Sequence, residues 1–244
     1  YSFRANLEEA RKSKRSIFCP SIPELGYTID ARDHDPALRA QKLLEEYKDL
    51  FMILLDHVFL IFPSGVQALQ DVSMHIAREE FVFLVGPTGS GKSSLLKLLY
   101  REATPTQGKV LVDKVDVGRI KAAQIPFLRR NIGVIFQDYK LLQDRSIYEN
   151  VAFTLQVTGT PRLQIRRQTL QVLDLVGLAD KASHLPRELS GGQQQKACIA
   201  RAIINNPQIL LADEPTGNLD PDTSWEIIQL LNKINTRKTT VLIA

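Results

Sequence analysis

Cysteine and histidine are scarce in this chain. Its 244 residues include 2 Cys, Cys19 and Cys198, and 4 His, and the two cysteines belong to no Cys/His cluster. A disulfide framework needs several cysteines at short spacings, and a zinc site needs clustered Cys and His ligands. The sequence therefore predicts neither of them, and a reducing compartment is expected.

Long apolar runs are absent as well. The longest stretch, between Leu50 and Phe62, is interrupted by Asp56 and His57, and it is shorter than the ~20 apolar residues that cross a bilayer. The chain does not begin with a basic segment followed by an apolar one, so no secretory signal is expected. We predict a soluble protein that can still dock on a membrane partner.

The residues that are present suit a globular domain. The chain has 44% hydrophobic and 24% charged residues, which excludes a wholly disordered, collagen-like or coiled-coil chain. A net charge of +4 and a pI near 9.0 make the surface mildly basic. Such a surface suits a nucleic acid, a nucleotide or an anionic membrane as a partner, and the net charge alone does not distinguish among these three.

The pattern of apolar residues divides the chain into two parts. Residues 1–51 have little apolar periodicity apart from a predicted helix at 38–51, and we interpret them as an N-terminal extension of unknown role. In residues 52–244, helical stretches alternate with buried apolar strands at Phe81–Val85, Ile132–Phe136 and Ile209–Ala212. This alternation predicts an α/β fold around a mostly parallel sheet.

The interval between Tyr139 and Ser190 lacks a predicted strand. It contains a capping-box pattern at Ser146–Glu149 and a helix pattern at 162–176 that Gly177 ends. These signals predict a helical insert at about residues 139–190.

A glycine-rich loop carries the sharpest chemical signal. Gly86–Ser93 fits the pattern G-x-x-x-x-G-K-[ST] between a predicted strand and a helix that begins near Lys92. Glycines let backbone N–H groups approach phosphate oxygens, and the helix N-terminus adds positive potential. Lys92 would reach the β- and γ-phosphates and the Ser93 hydroxyl would bind Mg²⁺. The alternative, a turn that binds nothing, is disfavoured by the strand–loop–helix context. The candidate nucleotide-binding residues are Gly86, Pro87, Thr88, Gly89, Ser90, Gly91, Lys92, Ser93 and Ser94.

Two adjacent acids follow the strand at Ile209–Ala212. At the carboxyl end of a strand, both side chains can face a ligand in the crevice above the sheet. Asp213 would hold Mg²⁺ through its hydration shell, and Glu214 would orient or deprotonate the attacking water. Such a pair often marks only a strand that enters a loop, but a phosphate-binding loop in the same domain favours the catalytic interpretation.

A second helix start also suits an anion. In Leu189–Gln193, Ser190 is a good N-cap and the two following glycines let the backbone approach a phosphate. The alternative is an ordinary capped helix. The candidate residues are Ser190, Gly191, Gly192 and Gln193.

Five motifs in this order resemble the ATP-binding cassette (ABC) ATPases. They are the glycine-rich loop (the P-loop), Phe136–Asp138, Leu189–Gln193, Asp213–Thr216 and Asn218–Asp220. From about Met52 onward the resemblance implies a P-loop NTPase fold with a mostly parallel core sheet, an antiparallel β subdomain and a helical insert. It also implies hydrolysis of ATP with Mg²⁺ by a head-to-tail homodimer, in which each ATP lies between the P-loop of one subunit and Leu189–Gln193 of the other.

The resemblance implies roles for three further residues. Gln137 matches the family's Q-loop glutamine, which contacts Mg²⁺ and acts in catalysis beside Lys92 and Glu214. Asp220 matches the D-loop at the dimer interface, and Phe62 matches the aromatic residue that stacks on adenine. Without the flanking motifs, a solvated amide and a core aromatic residue would be the simpler interpretations of Gln137 and Phe62.

Segments around the P-loop, Gln137 and Asp213 are also similar to one subfamily, the cell-division ATPases called FtsE. This similarity implies an FtsX-like integral membrane partner that docks beside the helical insert and Gln137, at the cytoplasmic face of the plasma membrane. ATPases of lipoprotein or macrolide exporters and of amino-acid importers are alternatives. A soluble ABC protein acting on nucleic acid or the ribosome is another, but no direct nucleic-acid role is expected. A scaffold that binds nucleotide without hydrolysing it also stays open.

The chain departs from the family at two places. It ends at Ala244, before the family's switch histidine, so we expect a C-terminal truncation. None of the four histidines stands at the position of the switch histidine, and we interpret them as surface or structural residues: His34, His57, His75 and His184. Lys196 stands where many relatives have arginine, which keeps the charge but loses the planar fork.

Overall fold

The computed structural model describes residues 51–244. They form two compact units, one of residues 51–77 with Pro105–Gly118 and one of Arg78–Thr104 with Arg119–Ala244. The predicted helix at 38–51 lies outside the described residues except for Phe51, which begins a strand instead. In chain order the strands are β1 (Phe51–Ile61), β2 (Gln67–Ala77), β3 (Phe81–Phe83), β4 (Gln107–Val112), β5 (Val115–Asp116), β6 (Ile132–Ile135), β7 (Ile209–Ala212) and β8 (Thr240–Ile243). The α-helices are α1 (Lys92–Leu99), α2 (Ile125–Arg130), α3 (Ile147–Val157), α4 (Arg162–Leu175), α5 (Gly191–Ile203) and α6 (Pro221–Asn235).

The first unit is an antiparallel sheet in the order β2-β1-β4-β5. The turn between β1 and β2 closes with hydrogen bonds from the Phe62 N–H to the Val66 carbonyl, 2.9 Å, and from the Gly65 N–H to the Phe62 carbonyl, 2.8 Å. Gly65 has a φ of 84°, a left-handed conformation that glycine adopts readily. β1 is irregular between Leu55 and Val58, where its pairing with β2 shifts register.

The second unit is built on a parallel sheet in the order β3-β8-β7-β6. β7 and β8 are buried at every position, as expected for strands covered on both faces. The predicted strand at 81–85 is shorter, because Val85 lies beyond the sheet and is 76% exposed. A parallel sheet with helices in one unit and an antiparallel sheet in the other confirm the predicted fold class.

Residues 139–190 contain α3, α4 and two short 3₁₀ segments. The predicted capping box is present, because the Glu149 N–H donates to Ser146 Oγ at 3.2 Å and the Ser146 N–H donates to Glu149 Oε2 at 2.8 Å. The predicted end of α4 is also confirmed, with Gly177 in a left-handed conformation at φ 72°. This segment packs on the central helix α5, whose contacts also include β6 and α6.

Candidate functional site

The P-loop joins β3 to α1. Gly89 and Gly91 have φ values of +83° and +89°, which strain any residue with a side chain. Lys92 Nζ donates to the carbonyl oxygens of Gly86 at 2.9 Å and Pro87 at 3.0 Å, so its ammonium group lies against the loop backbone. Because Gly91 is the N-cap of α1 and has no side chain, the N-cap makes no side-chain hydrogen bond to the N–H groups of the first helical turn. The Lys92 ammonium group and the N–H groups at the start of α1 therefore suit the binding of an anion.

Ser93 and Asp213 lie together at the carboxyl end of the sheet. The Ser93 hydroxyl donates to Asp213 Oδ1 at 2.9 Å. Asp213 directly follows β7, and its N–H donates to the Ile135 carbonyl at 3.0 Å. The pair presents a hydroxyl and a carboxylate oxygen, which are the hard ligands that Mg²⁺ prefers.

Gln137 and Glu214 form a second pair beside the first. Gln137 Nε2 donates to Glu214 Oε2 at 2.7 Å. Glu214 has a left-handed φ of 45°, and its N–H donates to the Ala244 carbonyl at 3.0 Å. A non-glycine residue in this conformation costs about 1–3 kcal/mol, and such strain is concentrated at functional sites.

The segment after Gln137 is strained and held by α5. Tyr139 and Lys140 have left-handed φ values of 57° and 50°. Their carbonyl oxygens accept hydrogen bonds from the guanidinium group of Arg201, and the Cys198 thiol also donates to the Tyr139 carbonyl at 3.1 Å. Burial raises the pKa of the Cys198 thiol to about 12, so the thiol keeps its proton for this bond.

Sequence reasoning missed Tyr139 and Arg201. One signal for Arg201 was available, because it lies on α5, the helix that Ser190 caps, three positions after the buried Cys198. A charged side chain at this spacing lies on the same face of the helix as the buried residue. Tyr139 offered no such signal.

The Ser190–Gln193 segment lies next to the start of α6. Ser190 caps α5 as predicted, with the Gln193 N–H donating to Ser190 Oγ at 3.3 Å and the Ser190 N–H donating to Gln193 Oε1 at 3.1 Å. A Cβ atom at Gly192 would lie 2.4 Å from Thr223 Cγ2, and one at Gly191 would lie 3.3 Å from the Tyr139 hydroxyl. Both glycines therefore have packing reasons within the chain.

Asp220 is the N-cap of α6. Its Oδ1 accepts a hydrogen bond from the Thr223 N–H at 3.0 Å, and the bonding to Thr223 lowers the pKa of the Asp220 carboxyl. Phe62 is half-buried and lies in the turn after β1, in the first unit. Its stacking on adenine and the interface role of Asp220 stay predictions.

The histidines of the described residues have local contacts. His57 Nδ1 lies 2.6 Å from Asp71 Oδ1, and this hydrogen bond is the main cause of the raised pKa of His57. The His75 ring lies 4.9 Å from the Phe51 ring, centroid to centroid. The His184 carbonyl accepts from the Ile147 N–H at 2.9 Å. His34 lies outside the described residues.

A cleft of about 320 Å³ opens in the second unit beside the segment that carries Gln137. Three arginines and one glutamate line it together with apolar side chains, which makes the cleft basic. The lining includes Glu102, Arg129, Arg130, Phe136, Thr154 and Arg201. Within residues 51–244, no helix is long and apolar enough to cross a bilayer.

Comparison with known sequences identifies a family profile and close relatives. The profile of the ABC transporter family matches residues 69–217. The cell division ATP-binding protein FtsE of Bacillus subtilis is 52% identical over 193 residues, which cover 79% of this chain and 85% of that protein. FtsE of Mycobacterium tuberculosis is 52% identical over 194 residues, covering 79% and 84%. FtsE of Escherichia coli is 48% identical over 193 residues, covering 79% and 87%.

Solved structures of two cassettes are also similar. A dimeric ATP-binding cassette in a post-hydrolysis state, bound to ADP and Pi, has a TM-score of 0.73 and 36% identity, covering 79% of this chain and 87% of its own. A cassette from an ABC transporter complex of Clostridium perfringens has a TM-score of 0.74 and 29% identity, covering 80% and 78%. Both solved cassettes therefore resemble this chain in sequence as well as in fold.

Proposed function

The chain belongs to the ABC transporter family, and we propose that it is the ATP-binding and ATP-hydrolysing subunit of an ABC-type complex that acts in bacterial cell division. The hydrogen bonds Ser93–Asp213 and Gln137–Glu214 carry this proposal, because they bring the end of the P-loop beside two acids and an amide. The roughly half-identical FtsE proteins support the cell-division setting.

The phosphates of ATP would bind at the P-loop. The N–H groups at the start of α1 and the Lys92 ammonium group would donate to β- and γ-phosphate oxygens in place of the carbonyl contacts that Lys92 now makes. Phe62 would stack on the adenine ring, since an aromatic face is sufficient for stacking.

Mg²⁺ would be held by Ser93 and Asp213, with Gln137 as a third contact. The donor set fits, because the Ser93 and Asp213 oxygens are already 2.9 Å apart. Magnesium usually binds one or two carboxylates together with substrate phosphates and water. When bound, the ion neutralises charge on the β- and γ-phosphate oxygens.

Glu214 would direct the attacking water. The water oxygen bonds to the γ-phosphorus as the bond to the β,γ-bridging oxygen breaks, and the water proton goes to the Glu214 carboxylate, so ADP and phosphate leave. Gln137 donates to one oxygen of that carboxylate and thereby fixes its orientation. General-base catalysis of this kind contributes about 10²–10⁴-fold to the rate.

We further propose a head-to-tail homodimer with two ATP molecules at its interface. The Ser190–Gln193 segment begins α5, so a partner's γ-phosphate would meet a second helix N-terminus there. The similar solved cassette is dimeric with ADP and Pi bound. Asp220 begins the neighbouring helix α6 and would lie at the same interface.

An FtsX-like membrane protein is the partner that we propose. Its cytoplasmic segment would dock in the basic cleft, where Phe136 precedes Gln137 and Thr154 belongs to the helical insert. Docking there would place the chain at the cytoplasmic face of the membrane as a peripheral subunit. The arginines of the cleft favour a docking segment with acidic side chains.

The catalytic proposal is tested with Glu214→Gln in the full chain, with Glu226→Gln as the control. Glu226 is an exposed acid paired with Lys196, so its neutralisation should leave turnover unchanged. Glu214→Gln should lower kcat about 100-fold or more and accumulate an ATP-bound dimer, measured by phosphate release and size-exclusion chromatography. Turnover equal to that of the parent would show that Glu214 is not the base.

The partner proposal is tested by co-purification from membranes with and without ATP, with mass spectrometry of the recovered proteins. Recovery of an FtsX-like permease supports the cell-division role. Recovery of an exporter or importer subunit keeps the ATPase chemistry and discards the FtsE assignment. Recovery of nucleic acid or ribosomes discards the membrane partner.

A further inference from the structure

Two consecutive non-glycine residues hold a left-handed conformation just after Gln137. Tyr139 and Lys140 have φ values of 57° and 50°, and the Lys140 N–H donates to the Asp138 carbonyl at 2.5 Å in a tight turn. L-residues avoid this conformation because Cβ crowds the following carbonyl oxygen. The turn therefore persists only because neighbouring groups hold it.

Arg201 is the main group that holds this turn. Its Nη2 donates to the Tyr139 carbonyl at 2.8 Å, and its Nη1 donates to the Lys140 carbonyl at 2.5 Å. The planar guanidinium group thus bridges two successive carbonyl oxygens, which a lysine ammonium group cannot do with the same geometry. In addition, Lys140 Nζ lies 4.3 Å from the centroid of the Phe136 ring.

The Tyr139–Lys140 turn connects two parts of the site. Gln137, two residues before Tyr139, donates to Glu214. Arg201 is on α5, the helix that begins with the Ser190–Gln193 segment. The Tyr139 hydroxyl also lies beside Gly191 in that first turn of α5. A single rigid helix therefore connects the Ser190–Gln193 segment to the turn that carries Gln137.

We propose that Arg201 is a positioning residue for ATP hydrolysis, which clamps the Tyr139–Lys140 turn on α5 so that Gln137 reaches Glu214. Without the guanidinium group, the Lys140 carbonyl loses this hydrogen bond and the Tyr139 carbonyl keeps only the weak one from the Cys198 thiol, so the strained turn relaxes. Gln137 then shifts relative to Glu214, while the P-loop contacts of Lys92 are unaffected. The inference rests on the ATPase activity proposed above.

The test compares Arg201→Met and Arg201→Lys in the full chain with the control Lys196→Met. Lys196 is on the same helix but pairs with the exposed Glu226, so its loss should leave kcat and KM within about twofold. Arg201→Met should lower kcat by about tenfold or more and leave KM for ATP nearly unchanged, because a small displacement of a catalytic group slows the reaction without weakening substrate binding. Arg201→Lys should recover only part of kcat, and it replaces Arg201→Met if that variant does not fold.

A second readout follows the turn itself. Trypsin cleaves after Lys140, and Arg201→Met should increase this cleavage several-fold relative to the parent and to Lys196→Met, without nucleotide. Unchanged cleavage after Lys140 would contradict the clamp.

A double-variant comparison separates positioning from general stability. If Arg201 acts through Gln137, Arg201→Met should cause little further loss of kcat in a Gln137→Ala background. Multiplying losses would overturn the inference, and so would an Arg201→Met variant with parental kcat. A parent chain that does not hydrolyse ATP would instead overturn the proposed function and this inference together.

Discussion

Gly192 offers a test of why the second phosphate-binding candidate contains glycine. In Gly192→Ala, the new Cβ would lie 2.4 Å from Thr223 Cγ2, a distance that real Cβ atoms essentially never show. The other Thr223 atoms would lie at ordinary contact distances, with Cβ at 3.7 Å and Oγ1 at 3.8 Å. Thr223→Ser removes only the clashing methyl group and keeps the backbone N–H that binds Asp220. The double variant should therefore be free of the clash.

The expected magnitudes follow from these distances. Overpacking by one methyl group destabilises a protein by about 1–3 kcal/mol. Alanine favours a helix over glycine by up to about 1 kcal/mol, so part of this loss is offset. With the full offset, Gly192→Ala should therefore lower the free energy of unfolding by up to about 2 kcal/mol. The double variant with Thr223→Ser should return to the parental stability or exceed it.

Thermal melts of the parent, both single variants and the double variant measure this difference. A Gly192→Ala variant as stable as the double variant would refute the clash. ATP turnover of the same proteins then separates two reasons for the glycine. If Gly192 serves only packing, the double variant regains full turnover. If a partner's ATP approaches Gly192, as proposed above, turnover stays low after stability has been restored.

Three further predictions concern single sites. Ser93→Ala should raise the Mg²⁺ concentration needed for half-maximal ATP turnover, because one of the three proposed protein contacts of the ion is lost. An unchanged metal titration would contradict the assignment. Asn150→Ala should lower the free energy of unfolding by about 2–4 kcal/mol in denaturant melts. The reason is that the buried Asn150 amide accepts a hydrogen bond from the Leu142 N–H and donates to the Leu142 and Arg145 carbonyl oxygens. Gln156→Ala, at an exposed position, should have little effect. The pKa of His57 is raised by its hydrogen bond to Asp71, so this pair stabilises the fold below the usual His pKa and the stabilisation is lost as pH rises through the raised value. The difference in Tm between parent and Asp71→Asn should therefore shrink from pH 5 to pH 8, and a constant difference would contradict it.

The sequence predicted those parts of the fold that depend on local pattern. β7 matches its prediction at both ends, since a buried strand is a continuous apolar run. β3 is shorter than predicted, because the apolar run continues through Val85 although pairing with β8 ends at Phe83. The apolar periodicity of residues 38–51 predicts a helix that includes Phe51, but pairing with Ala77 in β2 places Phe51 in a strand. Tertiary pairing, which local spacing does not record, decided both differences.

The site was predictable where side chains carry its chemistry. Lys92, Ser93, Asp213 and Glu214 stand in motifs whose residue types match phosphate and metal binding. The clamp by Arg201 was not predictable, because its partners are backbone carbonyl oxygens that any residue provides. The left-handed turn at Tyr139 was hidden for a related reason, since neither it nor its neighbour is glycine.

The register of the parallel sheet explains why Gln137 meets Glu214. Ile135 in β6 pairs with Ala212 in β7, and Ala212 pairs with Ile243 in β8. Gln137 and Glu214 each stand two residues beyond this level, so in-register neighbouring strands, about 4.8 Å apart, bring them within hydrogen-bond reach. An insertion of one residue after Ala212 would move Asp213 to the level that Glu214 now occupies and Glu214 one position beyond it. Inserting one alanine after Ala212 should therefore abolish ATP turnover even in a folded protein, whereas an insertion at the exposed Gly159 between α3 and α4 should leave turnover near the parental rate. Turnover that survives the first insertion would show that loop flexibility, and not strand register, places Glu214.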